Sequence, residues 1–278
     1  MPVELTVTQK QRLRELGGGD ELVTARFASA AERDETFRRT EHELVAAGRR
    51  TLDDLRLGPR TPRLRLLEDG LRAALTAAGF CEVVTPLIVA AEALDNMGIA
   101  AGDPLREQIY WVARDRALRP MLAPNLYTLM RRLGRLWPRP FGIFEVGPCF
   151  RRDTGGSRHL SEFTMLNCVE LGTPLAARRR RLEELAGLVM AAATVDDYEF
   201  QEHESEVYGD TVDVVAGGLE VCSAATGPHP LDDNWGVTEP WVGLGFGLER
   251  LLLVREGASA IERFGRSTTY LDGVRLNI

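Results

Sequence analysis

The sequence is poor in the side chains that cross-link or bind metal in small domains. Four cysteines and four histidines are scattered over 278 residues, and no Cys-x-x-Cys or paired histidines form a zinc-binding pattern. We therefore expect buried free thiols and no structural metal. The residues concerned are Cys81, Cys149, Cys168, Cys222, His42, His159, His203 and His229.

Long apolar runs are also absent. No segment approaches the roughly 20 consecutive apolar residues that a membrane span needs. Residues 1–16 lack the apolar stretch of a signal peptide. With 44% hydrophobic and 27% charged side chains, the composition is typical of a globular protein. We expect a soluble cytoplasmic protein with no membrane partner.

Lysine is almost missing, since Lys10 is the only one and arginine carries nearly all the positive charge. The formal net charge of -7 argues against indiscriminate binding to nucleic acid but allows a local basic face. The guanidinium group is a planar fork that suits bidentate contacts to phosphate and carboxylate. Ligands that carry phosphate therefore remain compatible with this composition.

Glycines follow two predicted helices near the N-terminus. The first helix covers 8–16 and ends at Gly17, and the second covers 30–47 and ends at Gly48. No repeat and no Pro/Ser-rich linker follows them. We predict that residues 1–60 form an N-terminal helical segment appended to the rest of the chain.

The main domain is predicted over 61–278. Its first helix covers 64–75, with Thr61 as the cap, Pro62 at the first helical position and a stop at Gly79. Later strands and helices alternate irregularly, which predicts an α+β fold with a mainly antiparallel sheet flanked by helices. The predicted strands are 80–85, 108–112, 141–146 and 163–171, a hairpin turns at 216–218, and the predicted helices are 123–133, 182–193 and 246–255.

Three motifs follow one another in this domain. The first is the helix ending at Gly79, followed by Val83-Val84-Thr85-Pro86. The second runs from Phe144 through Arg151-Arg152-Asp153 and a polar loop to the segment from His159 to Asn167. The third is Gly243-Leu244-Gly245-Phe246-Gly247-Leu248-Glu249-Arg250. In order and local structure they resemble class II aminoacyl-tRNA synthetases, which join an amino acid to tRNA at the expense of ATP.

This resemblance assigns roles to the motif residues. The first motif would form a dimer interface, and Arg151 and Arg250 would be the catalytic residues that hold the phosphates of ATP. The alternatives are a solvated arginine pair in a hairpin for Arg151 and a glycine-rich turn capping a buried helix for Arg250. The implied ATP-binding residues are Arg151, Asp153, His159, Leu160, Phe163, Glu220, Val221, Ser223 and Arg250.

The chemistry of adenylate formation explains these residue types. An amino-acid carboxylate attacks the α-phosphorus of ATP while pyrophosphate leaves, so cations must hold two negatively charged reactants together. By resemblance, Glu220 and Ser223 would hold Mg²⁺ with ATP, and hard oxygen ligands suit that ion. A strand with two solvent-facing polar residues is the alternative.

The segments between the motifs narrow the resemblance. Residues 116–127, 162–167, 207–210 and Pro240-Trp241 resemble pyrrolysyl-tRNA synthetases, in the short form that lacks a separate N-terminal tRNA-binding domain. The resemblance covers nearly the whole chain. It implies a homodimer that uses ATP, Mg²⁺, pyrrolysine and the cognate tRNA.

The same resemblance implies an amino-acid pocket. Asn167 would hydrogen-bond the amide of the pyrrolysine side chain, although a backbone group is an alternative partner for it. Tyr208 would lie on a mobile loop over the pyrroline ring. The pocket residues would be Met121, Ala123, Leu126, Tyr127, Met130, Asn167, Val169, Tyr208 and Trp241.

Three points stay open at the level of sequence. Asp153 stands where the family pattern has glutamate, so its contact to adenine or to the tRNA end is in doubt. A class II synthetase for phenylalanine and a non-catalytic tRNA-binding paralogue are the competing functions. The basic residues considered for tRNA contact are Arg12, Arg14, Arg38, Arg39, Arg49, Arg50 and the run 178–181.

Overall fold

The computed structural model describes residues 2–58, 60–152, 159–205 and 207–278. Within these ranges the helices are α1 (Val7–Leu16), α2 (Asp20–Val23), α3 (Ala30–Leu57), α4 (Arg63–Ala77), α5 (Ala91–Asp95), α6 (Pro104–Glu107), α7 (Ala123–Leu133), α8 (Arg178–Ala193), α9 (Asp232–Trp235) and α10 (Leu248–Arg255). None of these described helices is long and apolar enough to cross a bilayer.

The strands of the described residues are two to ten residues long. They are β1 (Val3–Glu4), β2 (Arg26–Phe27), β3 (Cys81–Glu82), β4 (Ile88–Ala90), β5 (Trp111–Ala113), β6 (Arg116–Leu118), β7 (Phe141–Phe150), β8 (Glu162–Leu171), β9 (Glu199–Ser205), β10 (Gly209–Ala216), β11 (Leu219–Gly227), β12 (Trp241–Gly247), β13 (Tyr270–Leu271) and β14 (Val274–Arg275).

A seven-stranded sheet organises the main domain, in the order β3-β7-β8-β12-β11-β10-β9. Its neighbours are antiparallel except for β3, which runs parallel to β7. The predicted α+β class with a mainly antiparallel sheet is confirmed. The predicted hairpin is confirmed as well, because Gly217 and Gly218 turn β10 into β11 with φ of 57° and 70°.

The two faces of this sheet have different neighbours. Alternate residues of β8, such as Leu166 and Cys168, pack into a core against α4, α8 and α10. Val169 and the next residue on the same face, Leu171, belong to a second apolar cluster with α7 and α9. Because side chains alternate along a strand, the position of Asn167 between Leu166 and Cys168 directs it to this second face.

The N-terminal segment has a small core of its own, formed by Leu5, Leu13, Val23 and Phe27. The hairpin β13–β14 connects it to the main domain. In that hairpin Arg275 Nη1 lies 3.0 Å from Glu15 Oε2 of α1. The buried carboxylate of Asp272, between the two strands, accepts hydrogen bonds from Arg60 Nε at 2.8 Å and Arg63 N at 2.7 Å.

The predicted end of the second helix at Gly48 is wrong, because α3 continues to Leu57 and is terminated by Gly58 in a left-handed conformation. Gly48 has a packing role instead. A Cβ at Gly48 would lie 3.0 Å from Val274 and 3.1 Å from Ile278, so the missing side chain lets the C-terminal residues approach the helix.

The predicted Thr61 cap of α4 is also wrong. Pro62 occupies the cap position and makes no side-chain cap hydrogen bond. The N–H of Arg63 is satisfied instead by Asp272, 209 residues further along the chain. A residue distant in the sequence therefore provides the cap that was predicted from the neighbouring threonine.

Three other predictions need correction. The strand expected over 108–112 starts at Trp111, because Asp103 caps a short helix with Pro104 at its start. The helix expected from Phe246 starts at Leu248, since Phe246 pairs with Cys222 and Leu166 in the sheet. The strand expected over 80–85 is confined to β3, and Cys81 is exposed, unlike the other three buried cysteines.

Candidate active site

One cavity of about 640 Å³ opens on the second face of the sheet. It is lined by every site residue predicted from the sequence apart from Asp153, which lies outside the described residues. The polar members are Arg151, His159, Asn167, Glu220, Ser223 and Arg250, and the others are Met121, Ala123, Leu126, Tyr127, Met130, Leu160, Phe163, Val169, Tyr208, Val221 and Trp241.

A row of polar positions crosses the sheet beneath this cavity. In register, Glu145 lies opposite Asn167, Asn167 opposite Gly245, Gly245 opposite Ser223, and Ser223 opposite Asp213. Residues in register on adjacent strands share one face. The row therefore brings residues from β7, β8, β11 and β10 to a single surface, although they are far apart in the sequence.

Glycines at alternate positions of β12 keep this surface open. Gly243, Gly245 and Gly247 all line the cavity. A Cβ on Gly245 would lie 3.1 Å from Asn167 Nδ2, and one on Gly243 would lie 3.1 Å from the ring of Trp241. The third motif thus provides room for a ligand before its helix begins.

The arginine of the second motif lines the cavity in a restrained position. Arg151 Nε donates to Pro120 O at 2.9 Å, and its guanidinium carbon lies 5.4 Å from the centre of the Phe163 ring. Because Nε is bound to the backbone, the group has a fixed direction. The exposed side of the Phe163 ring remains a flat apolar surface of the kind on which a nucleobase can stack.

The arginine of the third motif lies in the first turn of α10. Arg250 Nη1 donates to Glu220 O at 3.0 Å, and Glu220 Oε2 lies 3.5 Å from the same nitrogen. The guanidinium therefore bridges α10 and β11. This geometry leaves a cation and a carboxylate side by side in the cavity, as expected for binding phosphate and a divalent cation together.

Two buried oxygens on the polar row have no hydrogen-bond partner among the described residues. They are Asn167 Oδ1 and Asp213 Oδ1. An unpaired buried acceptor costs about 1–3 kcal/mol. Both atoms belong to cavity-lining residues, so a ligand can satisfy them.

Part of the cavity wall is aromatic and is held by Asp232. This buried carboxylate accepts hydrogen bonds at 3.0 Å from Tyr127 Oη and from Trp241 Nε1. Tyr127 stacks on Trp235 with ring centroids 5.4 Å apart and meets Trp241 edge to face. Burial raises the pKa of Tyr127 far above its ordinary value, so its hydroxyl stays protonated.

Another buried carboxylate, that of Glu249, lies in the first turn of α10. Both oxygens of Glu249 accept from the Thr164 backbone N–H, at 2.8 and 2.9 Å. Burial raises the pKa of the Glu249 carboxyl to about 7. Arg266 donates to the Thr164 hydroxyl at 2.9 Å, so the polar contacts here link α10 to β8.

Comparisons with known proteins agree with this geometry. Residues 58–271 match the family of tRNA synthetases class II core domain (F). The crystal structure of pyrrolysyl-tRNA synthetase from Desulfitobacterium hafniense has a TM-score of 0.92 and 50% sequence identity, over 99% of each chain. The chain belongs to the pyrrolysyl-tRNA synthetases. It is therefore an aminoacyl-tRNA ligase.

More distant relatives match only part of this synthetase. Histidine–tRNA ligase of Metallosphaera sedula is 28% identical over 115 residues, which are 40% of this chain and 26% of that protein. O-phosphoserine–tRNA(Cys) ligase of Methanocorpusculum labreanum is 26% identical over 153 residues, which are 50% of this chain and 28% of that protein. The chain thus spans about a quarter of the length of these two relatives, as expected for a shared catalytic core.

Sequence reasoning missed the residues that support the synthetase's cavity from behind. Arg119 and Glu145 form a buried ion pair with a distance of 2.7 Å between Nη1 and Oε1. Thr85 of the first motif donates to Glu145 at 2.6 Å and accepts from Asn125 at 2.7 Å. Only the tertiary structure reveals such partners, because each residue alone is an ordinary polar side chain.

Proposed function

We propose that this chain is a pyrrolysine–tRNA ligase that acts in the cytoplasm. It activates pyrrolysine with ATP and transfers the aminoacyl group to the 3′ end of its tRNA. The observation that carries the proposal is Asn167 Oδ1, an unpaired acceptor that is shielded from solvent in a cavity also lined by Leu126, Met130 and Val169. A side chain with an internal amide N–H would satisfy it, whereas a hydrocarbon side chain would not.

Activation requires two anionic reactants to be held in line. Arg151 would bind the α-phosphate and the substrate carboxylate, and Arg250 would bind the outer phosphates. The amino-acid carboxylate then attacks the α-phosphorus, pyrophosphate leaves, and the aminoacyl-adenylate forms. Both guanidinium groups are already restrained by backbone acceptors, Pro120 O and Glu220 O, so little reorganisation is required.

The oxygen donors on this surface fit Mg²⁺. Glu220 and Ser223 would hold the ion with ATP, and the unpaired Asp213 Oδ1 in the same row adds a buried carboxylate oxygen. When bound, Mg²⁺ would neutralise charge on the phosphates. Among the described residues, the nearest cation to Glu220 is Arg250, which keeps the carboxylate oriented.

Transfer requires tRNA, and the N-terminal segment over residues 1–60 is our candidate for contact outside the acceptor end. Arg49 and Arg50 on α3 have no ion pair within the described part of the chain, so they are available to phosphates. Arg12 and Arg179 form ion pairs with Glu41 and Glu183.

Replacing Arg49 and Arg50 with glutamate should lower aminoacylation and leave ATP–pyrophosphate exchange unchanged. Aminoacylation at the native rate would mean that neither residue contacts tRNA.

We also propose a homodimer through the first motif. Val84, Leu87 and Ile88 form an exposed apolar run beside the edge strand β3, with Val84 91% exposed. Light scattering should report a dimer for the native chain and a monomer for Val84→Arg. Val7→Arg changes an equally exposed valine on α1 and should leave the dimer intact.

One exchange panel tests the function. Pyrrolysine, an N-ε-acylated lysine and phenylalanine are compared in ATP–pyrophosphate exchange with the purified protein. We expect exchange with the first two and little with phenylalanine, which leaves Asn167 unpaired. A higher rate with phenylalanine would assign the other class II substrate, and tRNA binding without exchange for any amino acid would assign a non-catalytic paralogue.

A further inference from the structure

His229 lies on the segment between β11 and α9, where it contacts the turn that carries Tyr208. The His229 Nε2 atom is 2.7 Å from Tyr208 O, and the two rings meet edge to face with centroids 5.4 Å apart. Tyr208 itself lines the cavity and its ring lies 6.2 Å from that of Trp241. His229 thus touches the wall of the amino-acid pocket from outside.

The hydrogen bonds of His229 define which ring nitrogen carries the proton. Leu231 N donates to Nδ1 at 3.1 Å, so Nδ1 is an acceptor. Nε2 must then be the N–H that donates to Tyr208 O. The imidazole therefore fastens the backbone of Tyr208, just before β10, to the segment that leads into α9.

The backbone N–H of His229 is hydrogen-bonded to the carboxylate that also holds the aromatic walls of the pocket. His229 N donates to Asp232 Oδ2 at 2.7 Å. The Asp232 carboxylate also accepts from Tyr127 and Trp241, which form the aromatic walls. One residue thus connects the turn over the pocket, through a single carboxylate, to the walls of the pocket.

We propose that His229 is a positioning residue that holds the Tyr208 turn closed over the side chain of the bound amino acid. The inference rests on the proposed amino-acid substrate. Because the contact involves neither Arg151 nor Arg250, it acts on binding of the amino acid and leaves the attack on phosphorus unaffected. It also limits how large a side chain fits beneath Tyr208.

Two substitutions of nearly equal size test this role. Gln at position 229 keeps an amide N–H that can reach Tyr208 O and an amide oxygen that can accept a hydrogen bond. Met has no N–H donor, and its sulfur is only a weak acceptor. We expect His229→Met to raise the KM for pyrrolysine about tenfold, the loss of one buried hydrogen bond. The kcat should stay within about twofold, and His229→Gln should restore most of the KM.

A readout that needs no activity separates positioning from general damage. Hydrogen exchange of residues 207–212 without substrate should be about tenfold faster in His229→Met than in His229→Gln. His42→Met, an exposed histidine on α3, is the surface control and should match the native protein in both assays. Equal KM and equal exchange in the Met and Gln variants would overturn the proposal.

The failure of this inference is distinguishable from failure of the proposed function. If the native protein shows no exchange with pyrrolysine, the substrate assignment fails. If the native protein is active and the Met variant lowers kcat with KM unchanged, His229 is not a positioning residue for the amino acid. If His229→Met does not fold, His229→Gln is compared with the native protein instead. A tenfold higher KM for pyrrolysine in His229→Gln would contradict the proposal.

Discussion

The buried, unpaired Oδ1 of Asn167 costs stability in the folded protein but can serve to bind a ligand. Its Oδ1 is shielded and unpaired in the described protein, so it weakens the folded state unless a ligand donates to it. Such unpaired groups are expected where binding supplies the missing partner. The amide therefore has a reason to be there that the fold alone does not provide.

Replacing Asn167 with leucine tests this interpretation. We expect kcat/KM for pyrrolysine to fall by roughly 10–100-fold, corresponding to about 1–3 kcal/mol of lost hydrogen bonding. The free energy of unfolding should stay equal or rise, because a shielded acceptor has been removed. Exchange kinetics and urea unfolding provide the two measurements, and a less stable variant with normal kinetics would assign Asn167 a structural role.

Glu249 predicts a pH dependence of stability. Burial raises the pKa of its carboxyl from 4.5 to about 7, so the folded protein binds this proton more tightly than the unfolded chain does. The free energy of unfolding should therefore fall as the pH rises from about 4.5 to about 7, by about 3 kcal/mol, and should then level off.

The comparison with Glu249→Gln isolates this carboxyl, because other titrating groups contribute equally to both proteins. Urea unfolding at several pH values should give a difference between native and variant protein that grows up to about pH 7. Parallel stability curves would mean that Glu249 titrates normally in the folded protein.

At the scale of elements, β12 combines two requirements that oppose each other. Its buried residues, Val242, Leu244 and Phe246, fill the core, while its glycines on the other face leave room for a ligand. Glycine in a strand costs stability because it loses more backbone freedom on folding. The third motif thus alternates apolar residues, which face the core, with glycines, which leave the cavity face of the strand without side chains.

Gly245→Ala should narrow this open face. The new Cβ would lie 3.1 Å from Asn167 Nδ2 and 3.3 Å from its Oδ1, so Asn167 must move. We expect kcat/KM for pyrrolysine to fall at least tenfold, because a loss of only about 1.4 kcal/mol in binding energy lowers it by that factor. The KM for ATP should stay within about threefold of the native value. Gly19→Ala, whose Cβ would have no atom within 4 Å, is the matched control.

Normal kinetics of Gly245→Ala, with melting unchanged, would mean that Asn167 tolerates the displacement. The expected role of the glycine would then be wrong. Loss of activity in both the Gly245 and the Gly19 variants would point to a general effect of the substitutions.

Two glycines illustrate how far the elements could be predicted from sequence. Gly17 and Gly48 both follow a charged helical pattern, and both were expected to end a helix. Gly17 does so with φ of 95°, but Gly48 lies inside α3 and makes room for Val274 and Ile278. Local pattern could not distinguish them, because the contact that explains Gly48 comes from the far end of the chain.

The residues that line the cavity could be predicted from the sequence more readily than those that support it. Arg151, Asn167 and Arg250 stand in motifs whose spacing indicates their use, and all three line the cavity. Arg119 and Asp232 carry no such signal, since each becomes recognisable only through partners that the fold brings together. Sequence therefore indicated residues that line the cavity, and the tertiary contacts revealed the residues that support them.

For the whole molecule, the link between the N-terminal segment and the main domain runs through Asp272. Its carboxylate is almost fully shielded and holds both Arg60 and the first N–H of α4. The residue has φ of 48°, a left-handed conformation that glycine adopts without strain. Asp272→Gly therefore removes the carboxylate without adding backbone strain.

We expect Asp272→Gly to lower the free energy of unfolding by about 2 kcal/mol, as for hydrogen bonds to a charged group. Proteolysis should become faster near residues 58–62, and aminoacylation should fall more than ATP–pyrophosphate exchange. Asp53→Ala, which removes an exposed carboxylate on α3, should change neither. Equal losses in both assays would show that the carboxylate supports the catalytic domain itself.

The position of the hairpin β13–β14 has a consequence for how this protein is made. Its contacts join Arg275 to Glu15 and Asp272 to Arg63, residues that leave the ribosome at very different times. The small N-terminal core can form early, but its contacts with this hairpin form only after residues 270–275 have been synthesised. The order of translation thus delays these contacts of the N-terminal helices.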